Sequence, residues 1–213
     1  QAKINWRSIQ AARENKIKIA WQDYRPVKPG ILGVKTFTDY PLAELRDYID
    51  WSPFFRTWEL SGRYPDILQD PVVGEAARSL FADAHQILQL LIEEKWLQAK
   101  AVIVIFPANA VEDDIDLYSD ASRQKLIMKL HHLRQQTEKP PGRPNQCLSD
   151  FIAPKTEQFV DYIGAFAVTT GIGIETKLEA FAAEHDDYQS IMLKALADRL
   201  AEAFAERMHE RVR

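Results

Sequence analysis

The sequence predicts an α+β fold built on an antiparallel sheet, and three observations carry that reading. Two long segments, Asp70 to Leu91 and Asp186 to Phe204, repeat apolar residues at helical spacing. Short β-prone runs are interleaved with them in small number. Two of those runs, Asp114 to Tyr118 and Lys125 to Leu133, are spaced as a hairpin. A doubly wound parallel sheet needs many strands, each followed by a crossover helix, and is disfavoured.

Asn5 to Lys18 is basic and compatible with helix, and residues 1–30 read as a connector from a preceding module. Pro26 and Pro29 interrupt helix there, since each lacks an N–H and restricts its neighbour. Ile31 to Phe37 reads as a short strand and opens a domain that spans 31–213. Pro41 to Ile49 gives a helical turn or two. Asp70 is placed to cap the first long helix, with Pro71 at its first position. Val73, Ala77, Leu80, Ala84, Ile87, Leu88 and Leu91 form that helix's apolar stripe. Ala101 to Phe106 is a buried strand expected to stop at Pro107. Leu126, Met128 and Leu130 alternate, which favours strand over helix. Lys139 to Pro144 is a loop, and Tyr162 to Val168 resumes as strand. Asp186 with Gln189 resembles a capping box before the last helix, whose stripe is Leu193, Leu196, Leu200 and Phe204.

The chain has 213 residues, 46% of them apolar and 27% charged, which suits one globular domain and argues against disorder. A net charge of −4 gives no electrostatic reason to expect nucleic acid or an anionic membrane. Cys147 is the only cysteine, so an intrachain disulfide and a thiolate metal cluster are both excluded. No apolar run reaches membrane-spanning length. The chain starts at Gln1 and ends in helix-like Arg211-Val212-Arg213, so both ends read as cut from something longer. A soluble, cytoplasmic setting is expected.

Motifs for familiar chemistry are missing. His131 and His132 are adjacent and would face opposite sides of a strand, while His85, His185 and His209 are scattered. No metal site is expected, and His85 is read as lying on a helix flank. Gly171-Ile172-Gly173 lacks the third glycine of a dinucleotide fingerprint and reads as a turn. No nucleophile elbow occurs.

Two constellations stand out. In Tyr48 to Trp58, Asp50 lies beside Trp51, Phe54, Phe55 and Trp58. On one reading the rings shield a carboxylate that holds an ammonium group, and their faces attract a cation such as a sulfonium. On the other, the rings form a small core and Asp50 caps a turn at Ser52-Pro53. Along the last helix Asp198, Glu202 and Glu206 recur four apart, and Lys194 and Arg199 relieve only part of their repulsion. That face is either a solvated acidic surface or one that accepts donors from a ligand or partner.

Several segments, in order, resemble the activation domain of cobalamin-dependent methionine synthase. They are Tyr48-Ile49-Asp50-Trp51-Ser52-Pro53-Phe54-Phe55, Phe106-Pro107-Ala108-Asn109, His131 through Lys139, Asp161 through Val168, His185-Asp186-Asp187-Tyr188 and Lys194 through Glu206. The resemblance implies a twisted antiparallel sheet flanked by helices and a shallow groove for S-adenosylmethionine. It implies a part in reactivation, in which an electron from flavodoxin or a flavoprotein reductase and a methyl from S-adenosylmethionine restore methylcobalamin. The cobalamin belongs to a neighbouring module of the same polypeptide, and zinc to a domain outside this chain. The whole enzyme would methylate homocysteine from 5-methyltetrahydrofolate, with this chain inactive alone and supplying no catalytic side chain.

By position, Asp50 matches the family's aspartate for the ligand's amino group and Glu202 a glutamate near the ligand. Asp198 matches an acid that meets the cobalamin module. The family's Arg-x-x-x-Gly-Tyr-Pro segment, whose arginine grips the ligand carboxylate, is not in these 213 residues. The alternative function is a scaffold that docks the cobalamin module and reductase and binds no ligand itself.

Overall fold

The computed structural model describes residues 5–213, so residues 1–4 of the expected connector lie outside the described residues. The architecture is α+β. Five strands, β1 (Gly33–Tyr40), β2 (Gln98–Val111), β3 (Asp114–Tyr118), β4 (Leu126–His131) and β5 (Asp161–Ile172), run in the order β1-β2-β3-β4, with β5 also paired to β2. By contacts the chain divides into two compact units, 1–34 with 104–165 and 35–103 with 166–213.

In the first unit, β2 pairs antiparallel with β3 from Ala108↔Leu117 to Val111↔Asp114, closing on Glu112-Asp113 with Glu112 at φ 56°. β3 pairs antiparallel with β4 from Asp114↔His131, so the expected hairpin is present. Ala108, Ile115 and Leu117 form its apolar centre, covered by Leu130, Ile152 and Ile163. One boundary differs from expectation: β2 does not stop at Pro107 but continues to Val111. A proline is tolerated in a strand wherever no partner needs its missing N–H, and pairing with β3 begins just after it, at Ala108. Helix α1 (Ile9–Glu14) is capped by Ser8, and Arg13 reaches Asp113 at 2.8 Å. Beneath it Arg134, 1% exposed at its side chain, bonds Asp113 and grips Asp150 through two nitrogens at 2.8 and 2.7 Å.

In the second unit, α3 (Gly74–Glu93) buries Ala77, Leu80, Ala84, Ile87, Leu88 and Leu91, while Val73 falls just outside the helix. The helix starts three residues later than Pro71. The Asp70 carboxylate accepts from the N–H groups of Val72 and Val73 at 2.8 and 3.0 Å, closing a turn ahead of it. Helix α5 (Asp187–Val212) is capped by Asp186, which accepts from the Gln189 N–H at 2.9 Å. Its stripe of Leu193, Leu196, Leu200 and Phe204 is fully buried. Against α5 pack the 3-10 turn Leu42–Tyr48, α2 (Trp51–Thr57), α3 and α4 (Ile174–Ala183). Helix α4 has no counterpart among the expected elements. The turn expected at Gly171–Gly173 is confined to Gly173, because Gly171 and Ile172 are the last residues of β5; Gly173 has φ 92° and Trp96 O lies 3.3 Å from where its Cβ would sit.

Candidate functional site

All three residues singled out from the sequence fall in the second unit. Asp50 is the N-cap of α2, and its Oδ1 accepts from the Ser52 N–H at 3.0 Å. A helix N-terminus leaves N–H groups without intrahelical partners, and a capping carboxylate satisfies one of them. Asp50 itself is exposed, and among the described residues its other oxygen has no partner. That oxygen is available to a donor from outside, on a carboxylate whose direction the cap holds.

The aromatic residues beside Asp50 do not shield it. Trp51 is 6% exposed and Phe54 and Phe55 are 0% exposed. The three recur at i, i+3 and i+4, one helical face, and α2 turns that face into the core while the N-cap stays at the surface. Trp51 meets the Phe54 and Phe81 rings edge-on at 5.3 and 4.9 Å. Of the two readings of this segment, the small aromatic core with Asp50 capping the turn at Ser52-Pro53 is the one found, and these ring faces are not open to a sulfonium. Only Trp58 stays half-buried, against Tyr188 at 5.0 Å. Burial first, then the bond to Asp83, pushes the Tyr188 hydroxyl up to about 12.

The segment before Asp50 is tied to α5. Arg207 donates to the hydroxyls of Tyr40 and Tyr48, each at 3.1 Å, and to Glu210 at 2.6 Å. Tyr48 also donates to Glu210. The bonds to Tyr40 and Glu210 hold the Arg207 guanidinium firmly charged. Two residues upstream of Asp50 the backbone is thus moored to the helix that carries the other candidate acids.

Asp198 and Glu202 lie one turn apart on α5, both exposed. Arg199, 14% exposed at its side chain, meets the Asp198 carboxylate at 2.5 Å. Glu202 and Glu206 have no ion-pair partner among the described residues, so the relief expected from Arg199 goes to Asp198. The structure sets Asp50 and the two α5 acids on helices that pack together. What the arrangement offers chemically is acceptance of hydrogen bonds and positive charge.

One residue at this place carries no signal as a site in the sequence. His85, on α3, stacks on Trp51 at 5.0 Å and 29° and meets the Phe81 ring edge-on at 4.3 Å. The expected helix flank is correct, and Nε2 is buried there without a partner. The spacing Phe81–His85, one turn on the face next to Leu80 and Ala84, is the clue the sequence contains.

Comparison with known proteins bears on this geometry. The profile of a family described as "Vitamin B12 dependent methionine synthase, activation domain" matches residues 41–213. A solved structure described as the MetH reactivation domain bound to AdoHcy is 53% identical in sequence and superposes with a TM-score of 0.93. The match covers 98% of this chain and 63% of that one, so the chain spans less than two thirds of the relative's length.

Proposed function

Since the chain belongs to the activation-domain family of vitamin B12-dependent methionine synthase, we propose that it binds S-adenosylmethionine and serves the reductive remethylation of cobalamin. The observation that carries the reading is the likeness to an AdoHcy-bound relative at 53% identity. AdoHcy differs from S-adenosylmethionine by one methyl group and the sulfonium charge. A site for the first therefore presents the same amino-acid and nucleoside contacts to the second. The free oxygen of Asp50 would take the ligand's ammonium group, a charge-assisted bond on a carboxylate already fixed by its cap. Glu202 adds negative potential for a ligand that carries a sulfonium cation, and Asp198 would face the cobalamin module.

In this reading residues 1–30 lead in from that module, and the parent polypeptide is a methyltransferase that makes methionine from homocysteine in the cytoplasm. Cobalamin supplies the methyl-transfer and redox chemistry when the neighbouring module presents it. The side chains of this chain bind and orient the methyl donor. Flavodoxin or a flavoprotein reductase supplies the electron, and any zinc belongs to another domain. The test is recovery of activity after oxidation in the full polypeptide, given S-adenosylmethionine and reduced flavodoxin, with primary methyl transfer as internal reference. Asp50→Ala should slow recovery by about tenfold or more, the worth of one charge-assisted hydrogen bond. Recovery at the wild-type rate would reject the assignment and leave the docking-scaffold reading.

A further inference from the structure

A histidine lies under the start of α2. His85 projects from α3 between Trp51, stacked at 5.0 Å, and Phe81, edge-on at 4.3 Å. Its Nε2 is sealed from solvent and bonded to nothing. Trp51 is the first residue of α2 and follows Asp50, whose carboxylate is the N-cap. The imidazole thus supports the one ring that joins the cap to the core.

We infer that His85 is a positioning residue for the Asp50 carboxylate, and that its protonation loosens the start of α2 and weakens the binding of a cationic ligand there. The inference rests on the proposed binding of S-adenosylmethionine. Two physical terms point the same way. A doubly protonated imidazole leaves its Nε2–H donor in an aromatic site with no acceptor for it. Its charge also repels a ligand bearing ammonium and sulfonium groups. Burial first, and Arg46 second, already hold the imidazole below its ordinary value.

Among the described residues no carboxylate bonds the imidazole: Glu44 of the 3-10 turn Leu42–Tyr48 accepts from the Tyr40 hydroxyl and pairs with Arg207, Asp50 accepts from the Ser52 N–H, and neither Asp47 nor Asp66 bonds it. Arg46, from the 3-10 turn Leu42–Tyr48, is a cation and bonds Gln89. Arg56 of α2 bonds the Ser52 carbonyl oxygen, and Arg78 of α3 bonds the Leu68 carbonyl oxygen beside the 3-10 turn Asp66–Gln69. On the α5 side, Asp83 is engaged by the Tyr188 hydroxyl at 2.7 Å, and Glu210 by Arg207 and Tyr48.

The linkage has a definite sign. A histidine whose folded value is lowered binds fewer protons when folded than when unfolded, so its support is present at neutral pH. That support is lost as pH falls from about 6.5, the unfolded value, through the lower folded one. Affinity for S-adenosylmethionine, measured by calorimetry in the full polypeptide, should stay level above pH ~7. It should then fall as pH drops below the ordinary histidine range, toward a limit of about tenfold per pH unit.

His85→Phe fills the same space and cannot titrate, so its affinity should be level across that window. His85→Ala should bind weakly throughout. Without ligand, the near-ultraviolet circular dichroism of the tryptophans should change over the same window in wild type and not in His85→Phe. Three results would overturn the inference: an acid loss that persists in His85→Phe, a flat wild-type profile, or unchanged dichroism. Failure of wild type to bind at neutral pH would instead reject the binding reading, and the dichroism would still decide the role of His85.

Discussion

In the proposed binding of the methyl donor, Asp50 divides its two oxygens between the helix cap and the ligand, so substitutions can separate the two. Asparagine caps a helix about as well as aspartate but carries no charge. Asp50→Asn should therefore leave the unfolding midpoint of the domain nearly unmoved and still lose ligand affinity. Asp50→Ala should lose both, with about 1 kcal/mol of stability going with the cap. If the two variants bound ligand equally well, the carboxylate charge would have no part in recognition. Arg134 is the residue on which the first unit depends most. Burial pushes the Asp113 carboxyl up, but Arg134 and Arg13 outweigh it and hold it below the ordinary carboxylate range. Arg134→Met strands Asp150 and leaves Asp113 with Arg13 alone in a site built for a cation, and denaturant titration should show a loss of about 3–5 kcal/mol. A carboxylate with a lowered folded value contributes stability above its unfolded value of about 3.9, lost as pH falls through the folded one. The variant should accordingly show a shallower acid destabilisation than wild type.

Among the elements, those that bury a regular stripe were legible and those that do not were missed. Helices α3 and α5 announce themselves because Leu80, Ala84, Leu88 and Leu91, and Leu193, Leu196, Leu200 and Phe204, all face the core. Helix α4 buries no residue, so periodicity has nothing to report, and only Gly173 marks its start. The end of β2 was misplaced because Pro107 looks like a stop in sequence, and whether a partner needs its N–H is a fact of pairing. Leu196→Ala on α5 should cost about 2–5 kcal/mol, the usual price of a cavity in a packed core. Gly173→Ala should cost about 1–2 kcal/mol, because an L side chain is strained at that φ, and Trp96 O stands 3.3 Å from the new methyl. A thermal melt of each variant checks both values. A Gly173→Ala melt equal to wild type would mean that the turn relaxes without cost.

At the scale of the whole molecule, family and fold could be recognised from sequence because long segments match in order, from Tyr48 to Glu206. The surroundings of Asp50 could not be read the same way. Proximity in sequence placed four aromatic residues beside it, and helical geometry then turned three of them inward. The signal for that outcome, apolar residues at 51, 54 and 55, was present as a buried-face pattern. The stacking of His85 on Trp51 could be read only in part, since the Phe81–His85 spacing marks a helical face while its contact with a helix about thirty residues earlier is a matter of packing. The proposed site rests on a capped, exposed carboxylate at the start of a helix whose aromatic face is buried and which packs on the helix that carries the acids. Calorimetric titration of S-adenosylmethionine into the full polypeptide, wild type against Asp50→Asn, tests this most directly. Saturable binding in wild type, weakened about tenfold or more in a variant that melts at the same temperature, is the predicted result. Equal affinities in the two proteins would contradict it.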